Sequence, residues 1–357
     1  MRSMRHKKRR VQCAAALLAA ALLCGCTDGT GIGKNLETQD IASQTSTAES
    51  SQAVTTETAA QTAAGTQKES LAHGDDSDIA GSEETGDGSR SAAFLDTDYS
   101  VPDGFADERD DVDYGTLLTD VRYYSTTAGA EKTCYIQLPA GYDETKKYPV
   151  LYLLHGIDGG PQEWNAAPVI YGNLVAEGEA PEAILVFVDM WTSDTDENSV
   201  TSESERRKIF HKFAGDLQND LMPFINSHYA AAEGMTSTAI IGLSTGAAEA
   251  VHDVVSIPGV FGYLGVLAPE ADIFEGSLLE APVLASVSFE DLSQAPLYTF
   301  FCVGEDSEED RNDLAKYEQE FDAAGVPYAD CVIRGAGHDA PVWLEGFYNF
   351  AGRIFKD

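Results

Sequence analysis

Residues 239–246 read Ala-Ile-Ile-Gly-Leu-Ser-Thr-Gly, so a short apolar run leads straight into Gly242-Leu243-Ser244-Thr245-Gly246. G-x-S-x-G at a strand-to-helix junction is the pattern of a nucleophile elbow. The serine sits on a sharp turn, and the glycines make room because neither carries a Cβ that would collide as the chain reverses. Such a turn lifts the Ser244 hydroxyl above the sheet edge, within reach of a base and a substrate. The chemistry expected is acyl transfer through Ser244. It requires a general base, an acid to orient that base, and donors for an oxyanion. A glycine-rich turn with a capping serine satisfies the pentapeptide equally well, so the partners decide.

Three other segments carry suitable groups. The run Tyr148–Leu154 is followed by His155-Gly156-Ile157-Asp158-Gly159-Gly160, a turn that exposes backbone N–H groups. An oxyanion hole takes one N–H from such a loop and one from the residue after the nucleophile, here Ile157 and Thr245. The run Tyr298–Val303 is followed by Gly304-Glu305-Asp306-Ser307-Glu308-Glu309-Asp310. Asp306 is the acid expected by position, with Glu305 and Asp310 as alternatives. A solvated helix start also favours acids, because they meet the helix dipole. The run Ala329–Ile333 is followed by Arg334-Gly335-Ala336-Gly337-His338-Asp339, which places His338 where a general base is needed. His211, His228 and His252 fall on expected helices and read as structural, and His155 reads as a support of the oxyanion loop. The order Ser244, Asp306, His338 is the nucleophile–acid–histidine order of α/β-hydrolases.

The elements that must position these groups are legible as alternation. Apolar runs at Thr133–Leu138, Tyr148–Leu154, Ala183–Val188, Thr238–Leu243, Tyr263–Leu267, Tyr298–Val303 and Ala329–Ile333 read as strands. Several are nearly continuous, as expected of strands covered on both faces. Helical patterns lie between them, over Ile209–Ile225, Gly246–Val255, Glu308–Ala324 and Pro341–Phe355. The expected class is α/β, with a mostly parallel central sheet flanked by helices on both faces. Chemistry in such sheets sits at the carboxyl ends of the strands, where all four segments fall.

The N-terminal quarter has a different character. Met1–Arg10 holds six Lys/Arg and no acid, and Val11–Leu23 is an Ala/Leu run too short to span a bilayer. Leu23-Cys24-Gly25-Cys26 resembles a bacterial lipobox, which implies a signal peptide over residues 1–25 and lipidation of Cys26. Residues 26–93 are rich in Ser, Thr, Gly and acids. All 33 aromatic residues lie from Phe94 onward, so this stretch is expected to be a disordered linker. Residues 94–357 then form one catalytic domain, exported and tethered to the outer face of a membrane through the lipid alone.

The formal net charge is -36, and removing the six basic residues of 1–25 takes it to -42. Such a surface disfavours nucleic acid and anionic lipid as partners. Cys134, Cys302 and Cys331 cannot all pair and show no metal-ligand spacing, and Cys302 and Cys331, inside apolar strand-like runs, are expected to be buried thiols.

Several stretches together resemble the esterase D / feruloyl esterase family, which includes carbohydrate esterase family 1. They are Tyr148-Pro-Val-Leu-Tyr-Leu-Leu-His-Gly-Ile157 with Trp164, Asp216-Leu-Gln-Asn-Asp-Leu-Met-Pro-Phe-Ile225, the Ser244 elbow, and Gly335-Ala-Gly-His-Asp-Ala-Pro-Val-Trp343. Tyr123-Tyr-Ser-Thr126 and Leu138-Pro-Ala-Gly-Tyr142 fit the family's opening strands. The resemblance implies an α/β-hydrolase fold and a carboxylic ester hydrolase. Its Ser244, Asp306 and His338 would act on feruloyl or acetyl esters of cell-wall carbohydrate, with no metal or organic cofactor. An acyltransferase of the same fold and a non-catalytic surface-binding lipoprotein are the rival readings. Trp164, Trp191 and Trp343 are candidate substrate contacts. The elbow departs from the family's Gly-x-Ser-Met-Gly-Gly at Thr245 and Ala247, and Phe187-Val-Asp-Met-Trp191 stands where Pro-Asn often ends the strand.

Overall fold

The computed structural model describes residues 97–275 and 283–356. The expected signal peptide, the expected lipidation site at Cys26 and the expected linker all lie outside the described residues, as does the domain start expected near Phe94. No helix among the described residues is long and apolar enough to cross a membrane.

Among the described residues eight strands form one sheet: β1 (Thr116–Ser125), β2 (Ala130–Leu138), β3 (Val150–Leu154), β4 (Ile184–Phe187), β5 (Thr238–Leu243), β6 (Tyr263–Leu267), β7 (Tyr298–Gly304) and β8 (Ala329–Ile333). Their order is β1-β2-β4-β3-β5-β6-β7-β8. The first two pairings are antiparallel and every pair from β4 to β8 is parallel. β3 to β7 are buried at every position, which is why they read as unbroken apolar runs. β8, at the edge, alternates, with Asp330 and Val332 turned to solvent. β1 is mostly exposed and only its end fitted the family's opening strands.

The helices are α1 (Ala167–Glu177), α2 (Glu203–Phe210), α3 (Phe213–Asp216), α4 (Met222–His228), α5 (Thr245–Ser256), α6 (Asp272–Glu275), α7 (Glu308–Ala324) and α8 (Ala340–Ala351). Three match the expected helices within a few residues. The helix expected over Ile209–Ile225 is instead broken: α2 stops at Phe210, and a π turn at Leu217–Leu221 joins α3 to α4. Pro223 has no N–H to donate four residues back, so the hydrogen-bond ladder must change register there. The break coincides with two buried carboxylates that tie this segment to the sheet. Asp216 accepts from Tyr123 Oη at 2.7 Å and Lys132 Nζ at 2.6 Å, and Asp220 accepts from Thr126 Oγ1 at 2.7 Å and Thr127 N at 3.1 Å. Cys302 and Cys331 are free and buried, as expected, and Cys134 is free and buried with them.

Candidate active site

β5 delivers Ser244 to a turn that only this local sequence permits. Ser244 has φ 54° and ψ −124°, a left-handed conformation that costs a non-glycine residue about 1–3 kcal/mol. A Cβ on Gly242 would collide with the Gly246 carbonyl, and a Cβ on Gly246 with the carbonyls of Leu154 and His155. The elbow is therefore wedged against the end of β3. Ser244 N donates to Leu267 O of β6 at 2.9 Å, which pins the strained residue to the next strand. α5 begins at Thr245. The first N–H groups of a helix have no partner within it, so the positive end of α5 faces the serine.

β3 ends in the second part of the site. A Cβ on Gly156 would lie 3.7 Å from that of Ser244, so the 155–160 loop abuts the serine. His155 is buried and neutral, its pKa lowered chiefly by burial. Met190 N donates to its Nε2 at 3.0 Å, which leaves Nδ1–H to donate to Gly156 O at 2.7 Å. Gly156 O and Ile157 N–H belong to one trans peptide and point opposite ways. His155 thus fixes the direction of the Ile157 N–H, the support that its position suggested. Glu163 accepts from Gly156 N at 2.7 Å, and Arg206 donates to Ile157 O at 2.7 Å, so the loop is held on both sides.

β8 supplies the histidine. His338 Nε2 lies 3.0 Å from Ser244 Oγ, and Nδ1 lies 3.0 Å from each carboxylate oxygen of Asp310. The partner of His338 is therefore Asp310, one of the two alternatives, and the preference for Asp306 is corrected. Asp306 is exposed, and its N–H donates to Ala336 O at 2.8 Å, a backbone tie between the two loops. Ser307 caps α7 by accepting from Asp310 N at 3.2 Å, so Asp310 stands on the first helical turn. That turn carries its buried carboxylate back beneath the imidazole. The Asp310 hydrogen bond is the main cause of a raised His338 pKa; partial burial opposes it.

One group went unrecognised in the sequence. Glu270, three residues past the end of β6, accepts from Ser244 Oγ and Thr245 Oγ1, each at 3.2 Å. Its other oxygen pairs with Arg207, which is 3 % exposed and also meets Glu203 at 2.7 Å. An acid just beyond a strand end was the available signal. The serine proton has two acceptors. With neutral His338, Oγ–H can donate to Nε2; with imidazolium, Nε2–H donates to Oγ and the serine proton turns to Glu270.

The three tryptophans separate. Trp164 is 4 % exposed, packs against Phe347 and donates to Leu154 O at 3.0 Å, so it is core and not a substrate contact. Trp191 is also buried, its Nε1 donating to Thr195 O at 2.8 Å while Arg206 lies over its ring. Trp343 is half-buried and meets His338 edge to face, with ring centroids 5.0 Å apart. A separate cavity of about 240 Å³, lined by Tyr114, Gln137, Pro139, Tyr171, Val175 and Leu185 among others, shares no residue with this site.

A mostly parallel sheet with an elbow serine after β5, an acid after β7 and a histidine after β8 defines an α/β-hydrolase. Residues 125–349 match the family model Esterase, described as "Putative esterase", and the chain belongs to this esterase family. It is similar to an endo-1,4-beta-xylanase/feruloyl esterase of Xylanibacter ruminicola, at 25% identity over 256 residues, covering 70% of this chain and 32% of that one. The chain thus spans about a third of that curated relative's length. Among solved structures it resembles the CE1 ferulic acid esterase of Anaeromyces mucronatus, with TM-score 0.63 and 28% identity, covering 72% of this chain and 97% of that one. A mutant feruloyl esterase module from Clostridium thermocellum, complexed with sinapinate, shares the fold at TM-score 0.55 and 15% identity, covering 71% and 92%. These findings bear out the expected fold and family resemblance.

Proposed function

We propose that the chain is a serine esterase that hydrolyses feruloyl or acetyl esters of cell-wall polysaccharide or oligosaccharide. The observation that carries the reading is the continuous array from Asp310 through His338 to Ser244, set on a strained elbow. His338 takes the serine proton as Oγ attacks the ester carbonyl, and Asp310 holds the imidazole in the tautomer that accepts it. The N–H groups of Ile157 and Thr245 meet the developing oxyanion, each contributing about 3 kcal/mol to the barrier reduction. His338 then protonates the departing alcohol, and a water activated by the same histidine releases the acid.

Arg207 balances the charge of Glu270, without which a carboxylate beside the oxyanion would oppose its formation. Glu270 also offers an acceptor for a hydroxyl of the alcohol half. Trp343, standing against His338, forms an aromatic wall for a flat hydroxycinnamoyl group. Similarity to proteins named as feruloyl esterases supports the acyl group, and the lipobox-like leader supports export with a lipid anchor on Cys26, where such esters are met.

A panel of methyl ferulate, acetylated xylan and p-nitrophenyl acetate tests the reading, with Ser244→Ala as the control. Hydrolysis of at least one carbohydrate-type or hydroxycinnamoyl ester, absent in Ser244→Ala, is expected. Activity persisting in Ser244→Ala overturns the reading.

A further inference from the structure

One turn along α5 from the elbow begins a second cluster of ionisable groups that the proposed chemistry does not use. Glu249 and His252 stand one turn apart on α5, and His211 follows α2 from 38 residues earlier in the chain. Glu249 Oε2 lies 2.6 Å from His211 Nδ1, and its Oε1 lies 3.0 Å from His252 Nδ1. The next residue, Asp253, brings Oδ1 to 3.9 Å from the same His252 nitrogen. Glu249 and Asp253 are both fully buried. Neither has a lysine or arginine partner among the described residues, and both Asp253 oxygens are buried without a hydrogen bond.

Two carboxylates withdrawn from water beside two imidazoles form an expensive arrangement. A buried charge costs several kcal/mol unless it is paired or coordinates a metal. One ligand atom each from His211, Glu249 and His252 lie within 4.8 Å of one another. A tetrahedral zinc with bonds of about 2.0–2.1 Å needs its ligands roughly 3.3 Å apart. One oxygen of Glu249 would ligate the ion, and the gaps among the three ligand atoms, no wider than 4.8 Å, would close by small side-chain rotations. Asp253 Oδ1, 3.9 Å from His252 Nδ1, lies beside this ligand set. The two imidazoles are the least buried members, at 11% and 12% exposed, and give the ion its way in.

We propose that His211, Glu249 and His252, supported by Asp253, form a structural site for a divalent transition metal, with zinc the best match to two imidazoles and a carboxylate. The ion would cross-link α5, which carries the serine at its start, to the end of α2, which carries Arg207. It would therefore stabilise the scaffold and take no part in the ester chemistry. The spacing conceals it from the sequence: a single Glu-x-x-His turn gains its third ligand only through the fold. The competing arrangement needs no ion: Asp253 stays protonated beside an ionised Glu249.

The full chain, stripped with a chelator and titrated with zinc chloride, separates the two. One equivalent of zinc should bind, and the thermal unfolding midpoint should rise with it. His211→Ala and His252→Ala should each weaken binding by ~10-fold or more, the loss typical of even outer-sphere partners, while Ser244→Ala should bind as the parent does. Absence of saturable binding overturns the site. So does one equivalent retained undiminished in both histidine variants, which would place the metal on histidines elsewhere in the chain. Cobalt(II) gives a check on the unmutated protein if a variant fails to fold. Intense visible bands of a four-coordinate ion support the site, and only the weak bands of an octahedral, solvent-like ion contradict it.

Discussion

Asp310 grips His338 through both of its oxygens, each 3.0 Å from Nδ1, although it stands four residues beyond the acid that the strand end points to. The loop after β7 runs past Asp306 before Ser307 caps α7, and the first turn of the helix then swings Asp310 under the imidazole. Asp310→Asn should therefore cost on the order of 10³–10⁴ in kcat by favouring the wrong histidine tautomer. Asp306→Asn, a change at an exposed side chain, should leave kcat within a few-fold. Steady-state kinetics on one ester substrate compares them directly.

The same contact sets the pH response. His338 must be neutral to accept the serine proton, and Asp310 holds its pKa above the ordinary 6.5, with a smaller contribution from Glu270. Activity should fall as pH drops through that raised value, so the acid limb of the kcat/KM profile should lie above the ordinary histidine range. Glu270→Gln removes one of the charges that favour imidazolium and should move the limb to lower pH. A limb that does not move assigns Glu270 no electrostatic hold on the histidine.

The elbow makes a stability prediction. A methyl group on Gly246 would meet the carbonyls of both Leu154 and His155, backbone that cannot rotate away. Gly246→Ala should destabilise the fold by about 3 kcal/mol, the upper end for overpacking, and should displace the serine. Ala247→Gly, which restores the family's usual elbow ending, should cost about 1 kcal/mol or less as a glycine in a first helical turn. Urea denaturation measures both.

Lys132 and Asp216 form a buried pair at 2.6 Å, 4% and 0% exposed at their side chains. Removing one partner strands the other in the core, so Asp216→Ala should lose about 3–5 kcal/mol. The loss should appear in chemical denaturation. The acid that the family motif places at 216 thus serves the attachment of the 213–228 segment to β2, away from the chemistry.

The parallel sheet was legible because strands covered on both faces must be apolar throughout, and β3 to β7 are. Ser244 was legible because it follows such a strand directly, and His338 because it stands in the short glycine-rich loop between the last strand and the last helix. Asp310 was not, because it sits on a helix whose start is set by Ser307, and in an acidic run every carboxylate looks alike. A helix starting near Glu308 was legible, but not that the acid on its first turn would turn to a histidine from β8. Glu270 depends on Arg207 arriving from a distant helix, and Trp164 on Phe347, and neither pairing has a local signature. The helix over Ile209–Ile225 kept its apolar spacing while Pro223 and two carboxylates bound to β1 and β2 broke its geometry.

The proposed mechanism makes Ser244 an activated nucleophile held by His338 and Asp310. Covalent labelling with a fluorophosphonate probe, read as intact mass and mapped to a peptide, addresses it without choosing a substrate. One adduct per chain is expected, on Ser244, absent in Ser244→Ala and strongly slowed in His338→Ala and Asp310→Asn. Labelling at another residue, or undiminished labelling after His338→Ala, would contradict it.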